Sequence, residues 1–180
     1  MARVPINPGA IDWSGENPGM YLKDRADGPF VSLISYFRVV HSPHGKGHAA
    51  FMLLDPYGDG RSAGRPNVCL TDNEPLADYL KKGFVSFFGA FKGATGLGNL
   101  QVKPAWDFMA GGDGRTVHTE WFRSAIGQVS LSWNQLSAPF LVEFDKEHSA
   151  TGKHEMISLF VDSHACTATI NGNPVSGKAF

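Results

Sequence analysis

The residues with the clearest chemical potential are His118 and Glu120, which stand two positions apart in the segment T-V-H-T-E-W-F-R. Alternate side chains of a β-strand point to the same face, so a strand here places an imidazole beside a carboxylate. Such a pair can act as general acid and base, or can anchor the polar group of a ligand. We therefore predict His118 and Glu120 as catalytic residues. The alternative is an ordinary polar face of a sheet that is turned to solvent.

Aromatic side chains near this pair in the sequence are candidates for the wall of a binding pocket. The chain contains 13 Phe, 4 Trp and 4 Tyr residues, more than the core of a small sheet needs. Those in the half with the clearest strand pattern are Trp106, Phe108, Trp121 and Trp133. Small-molecule sites usually combine apolar and aromatic walls with a few polar groups. We expect these four side chains to bind the apolar body of a ligand.

A second group of candidate ligands is the histidine trio His41, His44 and His48. Neutral imidazoles are the commonest metal ligands, and the spacing H-x2-H-x3-H would let three of them converge on zinc, copper or nickel if their loop folds back. The intervening residues are typical of an exposed turn, and no second cluster is available to complete the site. We predict no metal and no cofactor, and a metal at these three histidines stays an open alternative.

The second half of the chain consists mainly of short segments that alternate apolar and polar residues. The clearest is 128–134, in which Val129, Leu131 and Trp133 share one face. Further segments of this type are Thr116 to Arg123, Phe140 to Asp145, His154 to Asp162 and Ala165 to Ile170. The pair Asn171-Gly172 predicts a type I′ hairpin turn, since both residues tolerate positive φ. Strands in series with short connections are typical of an antiparallel meander.

The first half mixes strands that are apolar on both parities with one helix. Segment 30–41 predicts a central strand covered on both faces, and 48–55 predicts a second strand. The best helix is 74–82, which we expect to begin with a capping box at Thr71. After the helix, the apolar segment 84–91 predicts another strand.

Together these elements predict a single, mainly β domain over residues 1–180. We expect an antiparallel β-barrel or a strongly bent meander sheet with one or two short helices, like the calycin-type barrels by fold-level analogy only. Residues 1–29 carry too many Pro and Gly residues for a helix or a central strand. They predict an extended N-terminal arm that packs on the barrel.

Composition limits the classes of partner and the compartment. With 16 basic and 17 acidic residues the formal charge is −1, so the chain lacks the clustered positive charge that nucleic-acid binding requires. The apolar run 49–54 is far shorter than the ~20 residues that span a bilayer, and the start lacks the layout of a signal peptide. Cys69 and Cys166 lie far apart and predict buried thiols, with a disulfide as the alternative. We expect a soluble cytoplasmic protein with no nucleic-acid or membrane partner.

Three functions fit this pattern. The leading hypothesis is the binding of a small apolar or aromatic molecule in an aromatic-lined barrel cavity. The first alternative is an enzyme (a hydrolase, lyase or isomerase) that acts on a hydrophobic small molecule through the His118 and Glu120 pair. The second is a structural protein or a homo-oligomer whose exposed aromatic residues form a subunit interface.

Overall fold

The structure is a computed structural model that describes residues 10–59 and 65–180. Its strands are β1 (Ser14–Glu16), β2 (Gly19–Lys23), β3 (Phe30–His41), β4 (Gly47–Leu53), β5 (Val68–Thr71), β6 (Gln101–Gly112), β7 (Val117–Ser124), β8 (Gly127–Leu136), β9 (Phe140–Phe144), β10 (Met156–Phe160), β11 (Ser163–Ile170) and β12 (Asn173–Pro174). The helical elements are α1 (Glu74–Gly83) and two 3-10 turns, Val85–Phe87 and Thr95–Leu97. The predicted mainly β class is confirmed.

Most of these strands form one large sheet. Its order is β1-β3-β4-β5-β6-β7-β8-β11-β12, and β2 also pairs with β3. All neighbours are antiparallel except β5 and β6, whose parallel pairing needs a crossover connection that α1 and the 3-10 turns supply. Within the described residues the strand ladder does not close into a ring, so no closed barrel is found.

The sheet curls until strands that are distant in its order face each other. The indole Nε1 of Trp133 on β8 donates a hydrogen bond of 2.8 Å to the carbonyl of Gly19 on β2. Lys23 and Lys178 exchange backbone hydrogen bonds of 3.0 and 2.9 Å, which tie β2 to the C-terminal segment. A core of fully buried side chains from β2 to β8 and from β11 fills the concave interior.

A second core lies on the outer face of β3, β4 and β5. Phe37 and Phe51 point outward there and meet Leu76 and Leu80 of α1. Because β3 is covered on both faces, its sequence is apolar on both parities. The predicted central strand at 30–41 is confirmed with the same bounds.

Helix α1 is confirmed close to its predicted bounds, but its cap differs from the prediction. The side chain of Asn73 accepts the backbone N–H of Leu76 at 3.1 Å and so begins the helix. Thr71 belongs to β5, where its hydroxyl donates to the carbonyl of His48 at 2.6 Å. The capping box at Thr71 is therefore wrong, because a strand residue outside the helix has the capping spacing by coincidence.

The predicted strand at 84–91 is also wrong. The segment forms successive tight turns, with Phe87 N–H donating to the carbonyl of Phe84 and Phe91 N–H donating to that of Phe88, both at 2.9 Å. These aromatic residues pack against the outer face of the sheet instead of joining it. A short apolar run has no periodicity that separates a strand from a buried turn.

The second half follows the predicted strands with one interruption. Strands β9 and β10, which lie between β8 and β11 along the chain, pair only with each other and form a separate two-stranded sheet. Strand β8 therefore pairs directly with β11, and the meander is not continuous. Asn171 and Gly172 have φ of 53° and 76°, as the predicted type I′ turn requires. Strand β6 is absent from the predicted strands, and its pairing with β7 is interrupted by a bulge between Trp106 and Met109.

The predicted arm is only partly described. Residues 1–9 lie outside the described residues, and within the rest β1 and β2 both pair with β3. The ring of Trp13 contacts the rings of Phe37 and Phe84 edge-on, with centroids 5.3 and 5.8 Å apart. These contacts hold the start of the described chain against the outer core.

The buried position of Trp133 gives the first prediction. Because this side chain is 5% exposed and its indole N–H is hydrogen-bonded, Trp133→Ala should lower the free energy of unfolding by about 3–5 kcal/mol. Trp106, which is 45% exposed, is the matched control, and Trp106→Ala should change stability by no more than about 0.5 kcal/mol. Urea denaturation checks both values. Equal effects of the two substitutions would contradict the assigned interior.

Candidate functional site

The candidate site is built around the carboxylate of Glu120, which is 1% exposed. Glu120 lies on β7 with Phe122 on the same, inward-facing side, so the strand carries a charge into an otherwise apolar interior. A buried charge is tolerated only when it is paired and hydrogen-bonded. Its Oε2 accepts the hydroxyl of Tyr36 at 3.2 Å, and its Oε1 contacts Nη2 of Arg38. Both partners come from β3, on the opposite side of the interior.

Arg38 joins two carboxylates. Glu16 on β1 is its register partner across the strand pair, and Nη2 of Arg38 lies 3.2 Å from Oε2 of Glu16. Burial alone would lower the pKa of Arg38, but the hydrogen bond and charge of Glu120 and the charge of Glu16 together raise it. The guanidinium therefore stays charged and compensates the buried carboxylate.

Tyr36 completes the inner side of the cluster. Burial raises the pKa of its hydroxyl far above the usual value, and the negative charge of Glu120 raises it further. The hydroxyl thus stays protonated and donates to Glu120. Its ring stacks on Phe122 with centroids 5.9 Å apart, which fixes the direction of the O–H group.

His118 forms the outer side of the cluster. Its Nε2 lies 3.2 Å from Oε1 of Glu120, and 28% of its side chain is exposed. Its ring centroid is 5.7 Å from that of Trp133, its register partner on β8. The alternation of β7 thus brings the predicted pair into hydrogen-bond distance, with the carboxylate buried and the imidazole at the surface.

Of the four aromatic residues predicted to bind a ligand, the structure places Phe108 and Trp133 beside the cluster. Phe108 contacts Phe122 at 4.8 Å between centroids, and Trp133 is buried next to His118. Trp121 points to the opposite face of β7 from Glu120, and Trp106 is exposed on β6. The two inner rings contact other aromatic rings and so form part of the packed interior.

The histidine trio does not converge. His48 Nδ1 lies 2.8 Å from Oδ2 of Asp72, and its ring stacks on Phe108 at 4.1 Å. Burial raises the pKa of Asp72, but the hydrogen bonds from the His48 side chain and backbone outweigh this and lower it. His44 instead contacts Tyr79, and His41 is exposed at the end of β3.

In the described part of the chain, the one set of three potential metal donors within reach of a common point is Glu16, His118 and Glu120, whose ligand atoms lie within 4.8 Å of one another. Arg38 already contacts both carboxylates of this set. A metal ion would have to displace the guanidinium, and we therefore describe the cluster as a hydrogen-bonding and charge site.

The opposite end of the curled sheet carries a different feature. A shallow depression of about 440 Å³ is lined there by Leu54, Ile126 and Ile170 together with Arg65 and Asn171. The interior thus has a polar end at Glu120 and a more apolar end at the β7–β8 turn.

Sequence reasoning missed three members of the cluster: Glu16, Tyr36 and Arg38. The sequence contained a signal for Arg38, which is the one charged residue in the twelve-residue, mainly apolar strand β3. A charged side chain in such a strand must be paired or reach solvent. Glu16 gave no such signal. It lies in a segment rich in Gly and Pro that was predicted only as an arm.

Comparisons with protein-family models, with curated proteins and with solved structures gave no match for this chain. In residues 10–59 and 65–180, no helix has both the length and the apolar character needed to cross a membrane. Cys69 and Cys166 are both free thiols, and burial raises the pKa of Cys69 to about 12. The assignment of function therefore rests on the geometry of the cluster.

The buried charge gives the second prediction. Glu120→Gln keeps the size of the side chain but removes its charge, leaving Arg38 with Glu16 alone. Breaking a buried pair from one side should lower the free energy of unfolding by about 3 kcal/mol, as measured by chemical denaturation. Glu143→Gln on β9 is the control, since its exposed carboxylate should contribute less than about 0.5 kcal/mol. A loss below about 1 kcal/mol for Glu120→Gln would contradict the buried pairing.

Proposed function

We propose that the protein binds a small molecule with an apolar body and a polar head group at the polar end of the curled sheet. The observation that carries this proposal is the exposed edge of His118, hydrogen-bonded to a carboxylate that solvent does not reach. A buried partner holds the imidazole in one orientation, and a preorganised polar group costs less entropy when it binds. The proposal includes the closure of the curled sheet into a barrel around its interior, which the backbone bridge between Lys23 and Lys178 supports.

The charges of the cluster favour a particular head group. Glu16 and Glu120 supply two carboxylates against the single guanidinium of Arg38, so one negative charge is uncompensated while His118 is neutral. A cationic head group that donates hydrogen bonds, such as an ammonium, gains from this field, whereas a carboxylate is repelled. We therefore infer an amine-bearing ligand in preference to an acidic one.

The body of the ligand would lie over the partly exposed rings at this end of the sheet. His118 and Phe108 offer accessible ring surface, while Trp133 supports His118 from below. Because the rings beneath already contact one another, a flat aromatic or short aliphatic body fits the surface better than a long chain inserted into the interior. Two free thiols suit a reducing compartment, and we place this function in the cytoplasm.

Catalysis is the second candidate, and one observation favours it. The Glu120 carboxylate holds one imidazole nitrogen of His118, an arrangement that leaves the other nitrogen to accept or donate a proton. In an enzyme of this kind His118 would be the general base, and Glu120 would orient the imidazole. A hydrolase, lyase or isomerase acting on the same class of small molecule would use this step.

A pair of probes with the same ring and opposite charge tests the proposal. Tryptamine carries an ammonium group and indole-3-acetate a carboxylate, so calorimetric titration should detect tighter binding of tryptamine. His118→Ala should weaken that binding about tenfold or more, because it removes a hydrogen bond to a charged group. His148→Ala, at an exposed loop position, is the matched control and should bind like the unaltered chain.

A further variant separates charge from shape. Glu16→Gln removes the exposed carboxylate and should abolish the preference for tryptamine while leaving the fold unchanged. NMR shifts on tryptamine addition should concentrate at His118 and Trp133. Shifts at Ile126 and Ile170 would place the ligand in the opposite depression and refute the proposed site. Equal binding of both probes, or binding that His118→Ala leaves intact, would refute the proposed head-group recognition.

A further inference from the structure

The hairpin formed by β9 and β10 exposes an unusual amount of apolar surface. Seven large apolar side chains between positions 140 and 161 are 38–73% exposed. They are Phe140, Leu141, Phe144, Ile157, Leu159, Phe160 and Val161. At about 200 Å² for a full side chain of this size, they leave roughly 700 Å² in contact with water. The largest apolar patch of an ordinary monomer is about 300–600 Å².

This hairpin is also incomplete as a sheet. The backbone of β10 pairs with β9 on one side, and among the described residues its other edge has no partner strand. Two-stranded hairpins are marginally stable in water, and an open apolar edge is a template for another strand.

The base of the hairpin is held by Ser137 N–H, which donates to the carbonyl of Asp162 at 2.9 Å. Its distal loop rests on the body, where His154 stacks on Phe84 at 4.6 Å. The hairpin is thus fixed in place with its edge open.

The sequence of β10 is complementary to itself. Its residues are M-I-S-L-F, with no charge and with apolar side chains on both faces. If two copies pair antiparallel about a two-fold axis at Ser158, Ile157 lies opposite Leu159 of the partner on one face. Met156 then lies opposite Phe160 of the partner on the other face. No like charges meet, and the cross-strand contacts on either side of the central Ser158 pair are apolar.

We propose that the open edge of β10 pairs with β10 of a second copy of this chain, so that two hairpins form one four-stranded sheet. The pairing gives the free backbone groups of each β10 edge hydrogen-bond partners and covers part of the exposed side chains of Ile157 and Leu159. A two-fold arrangement uses the same edge on both copies, which closes the assembly at a dimer. Strand β9 is the less suitable edge, because Glu143 introduces a charge into it.

The oligomeric state tests this assembly. Sedimentation should show the unaltered chain as a dimer at micromolar concentration, and the double variant Ile157→Lys, Leu159→Lys should be a monomer with unchanged circular dichroism. The control is Val40→Lys, which places the same charge on another exposed apolar residue, 65% exposed at the end of β3. It should remain a dimer. A monomeric unaltered chain, or a dimer that survives the double substitution, would overturn the proposal.

The register has its own test. In the proposed pairing, the two Ser158 residues lie directly opposite each other, with Cα atoms about 4.5–5.5 Å apart. That separation is within the range that a disulfide spans. Ser158→Cys in a Cys166→Ser background should give a covalent dimer on mild oxidation, while Glu143→Cys in the same background should not. A dimer that Glu143→Cys cross-links and Ser158→Cys does not would overturn the pairing of β10 with itself.

Discussion

The carboxylate of Glu120, buried between β7 and β3, is the interaction on which the site depends. Removing a carboxylate from water costs several kcal/mol. A single ion pair offsets this cost only when its geometry is good and further hydrogen bonds satisfy the carboxylate. Here three side chains contact the Glu120 carboxylate and stabilise it: Arg38, Tyr36 and His118. The first two come from a strand four positions away in the sheet order, so the arrangement exists only because the sheet curls. Fold and site are thus linked through one charged group.

The same interaction supports the proposed binding role over a purely structural one. Replacing a buried ion pair with well-packed apolar side chains is often neutral or stabilising, so stability alone does not require these residues. The ion pair of Arg38 and Glu120 also holds two polar side chains at the surface. Glu16 contacts Arg38, His118 contacts Glu120, and both reach solvent. Rigid polar groups beside aromatic rings are what a small-molecule site needs.

The sequence predicted local features well and long-range ones poorly. Alternation along β7 was enough to place His118 beside Glu120, since neighbours on one face of a strand follow from backbone geometry. Arg38 stood out as the one charged residue in β3, but its pairing with Glu120 could not be predicted, because it depends on how far the whole sheet bends. The aromatic run at 84–91 had no distinguishing period, and its turns follow from the outer core that it covers. The prediction grouped Trp121 with Trp133, although the parity of β7 puts Trp121 on the opposite face from Glu120.

The most direct test of this account is a double-mutant cycle on Arg38 and Glu120. The free energy of unfolding would be measured for the unaltered chain, Arg38→Met, Glu120→Gln and the double variant. If the pair is buried and joins β3 to β7, its coupling energy should exceed about 1.5 kcal/mol. A coupling below about 0.5 kcal/mol, as for an exposed ion pair, would contradict the buried link between the two strands.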